Sequence, residues 1–214
     1  MASGLFRILG ILALAALPSI AGAVEPSDRA GSVAETTAQS ESAPPAVAEP
    51  SAESAEGEQP FPVIHRGDEG LPDAVRETRQ KLIEAARSGD MEQLRAIAAE
   101  QPEPPSTAFD DVGDPIDYLK SLASDVGGRE ILAILLEVLE AGHVHVDAGG
   151  TEEMYLWPYF AAYPLEALTP PQLVELFTLL ASAEYEEMRS YGAYTFFRVG
   201  IGPDGTWHFF LAGD

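Results

Sequence analysis

Apolar positions along this chain follow three successive patterns. Residues 8–17 are one unbroken apolar run, Ile8-Leu9-Gly10-Ile11-Leu12-Ala13-Leu14-Ala15-Ala16-Leu17. From Val24 to about Pro60 the pattern vanishes into Ala, Ser, Glu, Pro and Thr, with no aromatic residue. From about Phe61 onward apolar residues return at helical spacing, then change to an aromatic, β-branched pattern near the C-terminus.

The helical region predicts a series of short elements. Leu71, Val75, Leu82 and Ala86 mark one amphipathic helix, which Ser88-Gly89-Asp90 stops while capping the next. Met91, Leu94, Ile97 and Ala98 give a second stripe, with Gln93 three residues beyond Asp90 as in a capping box. Asp114-Pro115 reads as a third start, with a carboxylate to accept backbone N–H groups and a proline suited to the first turn. Arg129 to Ala141 is apolar nearly all round, which predicts a helix at the centre of a bundle. Thr169-Pro170-Pro171-Gln172 opens a further helix that is expected to run to about Tyr191-Gly192.

Near the C-terminus, residues 194–201 and 206–211 flank Gly202-Pro203-Asp204-Gly205, a turn sequence. This predicts a β-hairpin, and a lone hairpin is marginal in water. It must pack on helices or pair with the extended stretch 143–160. The expected fold is α+β: one mostly helical domain over residues 61–214, closed by a C-terminal antiparallel hairpin. About 150 residues suffice for one real core.

The two preceding stretches carry different expectations. Arg7, the apolar run, the helix-breaking Pro18 and the small residues Ala21-Gly22-Ala23 follow the layout of a secretory signal over residues 1–23. The run is shorter than the ~20 residues needed to span a bilayer, so no membrane span is expected after cleavage. Residues 24–60 read as a disordered acidic linker, too polar to offset the entropy of ordering. The expected location is periplasmic or secreted, and the absence of cysteine leaves the fold to burial alone.

Charge narrows the partners. The chain carries 12 basic and 35 acidic residues, a formal net charge of −23, and loss of Arg7 with the signal leaves 11 against 35, or −24. Such a surface repels phosphate backbones, which excludes a nucleic-acid role.

Candidate chemistry is sparse. Gly200 to Gly205 matches G-x-G-x-x-G, but a strand-like segment follows it where dinucleotide binding needs a helix. No cofactor is implied. His143, His145 and Asp147 alternate along one extended stretch, so two imidazoles and a carboxylate could converge on a metal ion. A third ligand of matching kind is missing, and an exposed polar edge is the simpler reading. Asp110, Asp111, Asp114 and Asp117 do not follow a calcium-loop pattern. A cleft joining Glu152, His143, His145 and Asp204 would favour a hydrolase.

Aromatics are 8% of the chain but crowd into its last third. Phe196/Phe197 and Phe209/Phe210 place rings on both faces of the hairpin, and one helical layer covers only one face. The other is then a groove or partner surface. The expected binding residues are Tyr155, Trp157, Tyr159, Asp204 and Trp207.

Two segments, YLWPYFAAYPLEALTPPQLVELF and FFRVGIGPDGTWHFFLAGD, resemble uncharacterised exported proteins of alphaproteobacteria. The resemblance covers roughly the last 75 residues, about half of a small domain, and implies export without any activity or site residue. LIEAARSGDMEQLRAIAAE is similar to the helical part of an ankyrin repeat, but occurs once. The resulting expectation is an exported, non-enzymatic module that binds an envelope protein or small ligand through an aromatic surface around Trp157 and Trp207. An envelope hydrolase or a metal-binding protein is the alternative.

Overall fold

The structure, a computed structural model, describes residues 61–213. The expected signal peptide and linker lie outside the described residues. Helix α1 (Asp73–Ser88) ends at Gly89, whose φ of 71° gives the left-handed stop. In α2 (Met91–Ala99) the cap is Asp90, but its carboxylate accepts from the Glu92 N–H at 3.0 Å, and Gln93 takes no part in a reciprocal box. Asp114 caps α3 (Pro115–Leu122) as expected, accepting from the N–H groups of Ile116 and Asp117, each at 2.9 Å.

Helix α4 (Arg129–Glu140) is less central than its composition predicts. Ile131, Leu132, Leu135, Val138 and Leu139 are buried, yet Glu130, Ala133 and Glu137 form an exposed stripe with Ile134 half-buried between them.

The single helix expected after Thr169 is two. α5 (Pro170–Leu179) starts with the Gln172 side chain accepting from the Thr169 N–H at 2.8 Å. It stops where Leu180 turns extended (φ −148°, ψ 162°) and buries its side chain. α6 (Ser182–Tyr191) then begins afresh, with Glu184 accepting from the Ala181 N–H at 2.7 Å. The break lets Leu176, Leu180, Tyr185 and Met188 join one core cluster.

The hairpin prediction holds and extends. Four strands, β1 (Val144–Val146), β2 (Met154–Trp157), β3 (Arg198–Ile201) and β4 (Trp207–Leu211), form an antiparallel sheet in sequence order. The stretch 143–160 supplies its first two strands, as the marginal stability of a lone hairpin demands. Both edges are shielded: His65 and His143 exchange backbone bonds of 2.9 Å, and Ser106 bridges β4 through His208 and Phe210.

Alternation along the strands divides the sheet between two cores, and the register shift between Gly200 and Ile201 lets Trp207 and Phe210, three residues apart, reach the same one. Tyr155, Trp157, Val199, Ile201, Trp207 and Phe210 pack in one cluster with α1 to α4. Val144 belongs to a second cluster built from Tyr159, Phe160, Leu165 and residues of α5 and α6, against which Val146, Leu156 and Phe196 pack. The adjacent Phe196 and Phe197 rings meet edge to face at 5.5 Å and serve different clusters. Among the described residues no helix is long and apolar enough to cross a membrane.

Candidate functional site

Strand pairing places Tyr155, Trp157 and Trp207 in the core against α1 to α4, and Tyr159, in the turn after β2, in the second core. Trp157, Trp207 and Tyr159 have no exposure, and Tyr155 has 5%. Trp207 spends its indole N–H on the Phe209 carbonyl at 3.0 Å. These rings are core, so the surface expected around Trp157 and Trp207 is corrected: it is not a surface. A side-chain period of two makes a one-residue offset equivalent to changing faces. In β2 the odd positions face the helices, while Met154 and Leu156 point the other way.

That second face carries the open groove. Val146 lies opposite Met154, and Leu156 lies opposite Gly200, which in turn pairs with Phe209. All four apolar side chains are half-buried. Gly200 has to lack a side chain, because a Cβ there would lie 2.4 Å from the Met154 sulfur and 2.5 Å from the Phe209 ring. The groove has a volume of about 620 Å³, with Phe160, Tyr163 and Leu165 on one wall and Glu152, Glu166 and Arg198 at its polar margins.

Two interactions hold its walls. Arg198 donates to the carbonyls of Gly213 at 2.6 Å and Tyr194 at 3.3 Å, fixing the end of β3 against the C-terminus. Tyr185 donates its hydroxyl to the Leu165 carbonyl at 3.2 Å, tying α6 to the 3-10 turn Leu165–Ala167. Burial raises the pKa of the Tyr194 phenol, keeping it a neutral wall group.

The expected metal set does not converge. His143 and His145 do share a face, flanking the Tyr155 ring at centroid distances of 6.4 and 4.3 Å. However, His143 is sealed between His65 and Trp157, and among the described residues neither ring nitrogen has a hydrogen-bond partner. His145 bonds Glu153 at 2.7 Å. Asp147 leaves the strand with φ 48°, and its carboxylate accepts from the Glu152 N–H at 2.9 Å, closing the β1–β2 loop. Among the described residues no three such side chains are placed to hold a metal ion.

Asp204 also has a local task. It accepts from the Thr206 N–H and hydroxyl, both at 2.9 Å, and shapes the β3–β4 turn. The Thr206 N–H, outweighing burial, which pushes the other way, holds its carboxyl below the ordinary range. Glu152, Glu153, Asp204 and His208 do line one cleft of about 600 Å³, but His143 and His145 do not reach it. The cleft joining Glu152, His143, His145 and Asp204 that would favour a hydrolase is therefore not formed.

Sequence reasoning missed Val146, Met154 and Leu156. Their signal was the alternation in 144–157, readable only once the faces had been assigned. Comparison with family models, curated proteins and solved structures finds no match to this chain.

Proposed function

We propose that this chain is an exported, non-enzymatic binding module whose groove on the second sheet face takes apolar groups of a small ligand or envelope partner. One observation carries the reading: four apolar side chains, Val146, Met154, Leu156 and Phe209, stay half-buried on a sheet face that opens into about 620 Å³ of space. Ligand sites are concave, mostly apolar, and about 300–1,000 Å³ in volume. Two of the residues expected to carry chemistry are engaged in structure, His145 with Glu153 and Asp204 with Thr206.

Titration of the mature chain with the neutral fluorophore N-phenyl-1-naphthylamine tests this. Saturable binding is expected, weakened about tenfold, or ~1.4 kcal/mol, by Met154→Lys and by Ala162→Trp, which fills the groove. Absence of saturable binding, or binding indifferent to both variants with an intact circular-dichroism spectrum, defeats the proposal. Export is tested by sequencing the mature N-terminus, expected at Val24; a mature protein that begins at Met1 removes that part of the reading.

A further inference from the structure

A second surface, independent of the sheet-face groove, lies where α4 and α6 leave apolar side chains open between acidic ones. Two adjoining hollows of about 380 and 520 Å³ share Glu184 and Phe196. The first is floored by Ile134 and Leu179, the second by Met188. Phe196 is half-buried where they meet, and Tyr191 stands 65% exposed at the far end.

The rim has one sign of charge. Glu130 and Glu137 lie seven residues apart on α4, two turns along one helix face, with Ala133 and Ile134 between them. Glu184 and Glu187 lie three apart on α6. All four are exposed, and among the described residues no Lys, Arg or His lines either hollow. The nearest basic residue in sequence on α6, Arg189, is bonded to Glu186 at 2.5 Å.

We propose that this α4–α6 groove docks a cationic amphipathic segment of a partner protein, its apolar side chains seated on Ile134, Leu179 and Phe196 and its Lys or Arg residues facing the four glutamates. Charge complementarity selects the occupant. A second copy of the chain is strongly acidic, at −23. The chain's own stretch 24–60 carries eight acidic residues and one basic residue. Both are repelled by an acidic rim, whereas an amphipathic helix with basic flanks meets apolar floor and carboxylates together.

The test uses an 18-residue amphipathic Leu/Lys peptide and its Leu/Glu counterpart, labelled and titrated with the full mature chain by fluorescence anisotropy. Two double variants of equal net charge separate site from bulk attraction: Glu137→Gln with Glu187→Gln in the groove, and Glu77→Gln with Glu84→Gln on α1. The Leu/Lys peptide is expected to bind, about tenfold more weakly to the groove variant, within twofold of wild type for the α1 variant, and more weakly as salt rises. Exposed Ala133→Arg is expected to weaken it similarly, with the melting temperature unchanged. Equal losses in the two double variants, or binding of the Leu/Glu peptide, overturns the proposal. So does a dimer in sedimentation that Ala133→Arg dissolves, since the occupant is then a second copy.

Discussion

Arg66 and Glu175, 109 positions apart, form a two-pronged ion pair with N–O distances of 2.6 and 2.8 Å. Glu175 also accepts from the Gly142 N–H and the Tyr159 hydroxyl, both at 3.3 Å. One carboxylate thus ties the first described segment, the end of α4 and the turn after β2 to α5. Burial pushes the Glu175 carboxyl up, but Arg66, the Gly142 N–H and Tyr159 together outweigh it and hold it below the ordinary value of 4.5. Its stabilising contribution is therefore full above that value and is lost as pH falls through the lower folded pKa. Because Arg66 is 60% exposed, the pair is worth about 1 kcal/mol at most. Arg66→Ala is expected to lower stability by that amount near neutral pH and to raise the Glu175 pKa, as carbon-detected NMR titration would show.

His143 makes a larger contribution to pH sensitivity. Burial, ahead of the neighbouring His65 and Arg79 charges, lowers its pKa from 6.5 to about 4. The fold thus favours the neutral ring. Stability is complete above about pH 6.5 and declines as pH falls toward 4, by up to ~3 kcal/mol if 1.36 kcal/mol is assigned per pKa unit. His143→Phe keeps the ring against Trp157 and removes two unpartnered nitrogens. Urea unfolding across pH 4–7 is expected to lose this slope in the variant; an unchanged slope would assign the effect to other groups.

Local chemistry made most element starts readable. Gly89, Asp114 and Gln172 act where their side chains or lack of one predict, because caps depend on neighbours within a few residues. The break at Leu180 was not readable, since it depends on Leu180 and Tyr185 meeting a core formed by distant residues. The aromatic residues expected at a surface are buried for a related reason. Alternation in 154–157 shows that the strand has two faces, but only packing against α1 and α4 decides which one is closed. Tryptophan drew attention by its size, and size is also what makes a ring valuable in a core.

Trp157 accordingly is a stability residue. Its side chain has no exposure, lies tilted against the His143 ring at 4.9 Å, and has no partner for its indole N–H among the described residues. Trp157→Ala is expected to cost about 3–5 kcal/mol through the cavity it leaves. Trp157→Phe removes the orphaned donor and costs much less. Denaturant midpoints for the two variants check this; a Trp157→Ala protein of native stability would return the residue to the list of surface candidates.

Gly205 joins the hairpin to the helical layer. Its φ of 88° is a conformation that side-chain-bearing residues rarely adopt. Its carbonyl accepts from the Thr78 hydroxyl on α1 at 2.6 Å, and a Cβ would lie 2.8 Å from the Ala74 carbonyl oxygen. Gly205→Ala therefore adds backbone strain and pushes the turn off the first turns of α1. The strain alone is worth about 1–2 kcal/mol, and the displaced contact adds to it. Thr78→Val separates the two effects, because it removes only the hydroxyl and should cost about 1 kcal/mol. Urea unfolding is expected to rank Gly205→Ala below Thr78→Val, and both below wild type. Equal stability of Gly205→Ala and wild type would mean that the turn does not rest on α1.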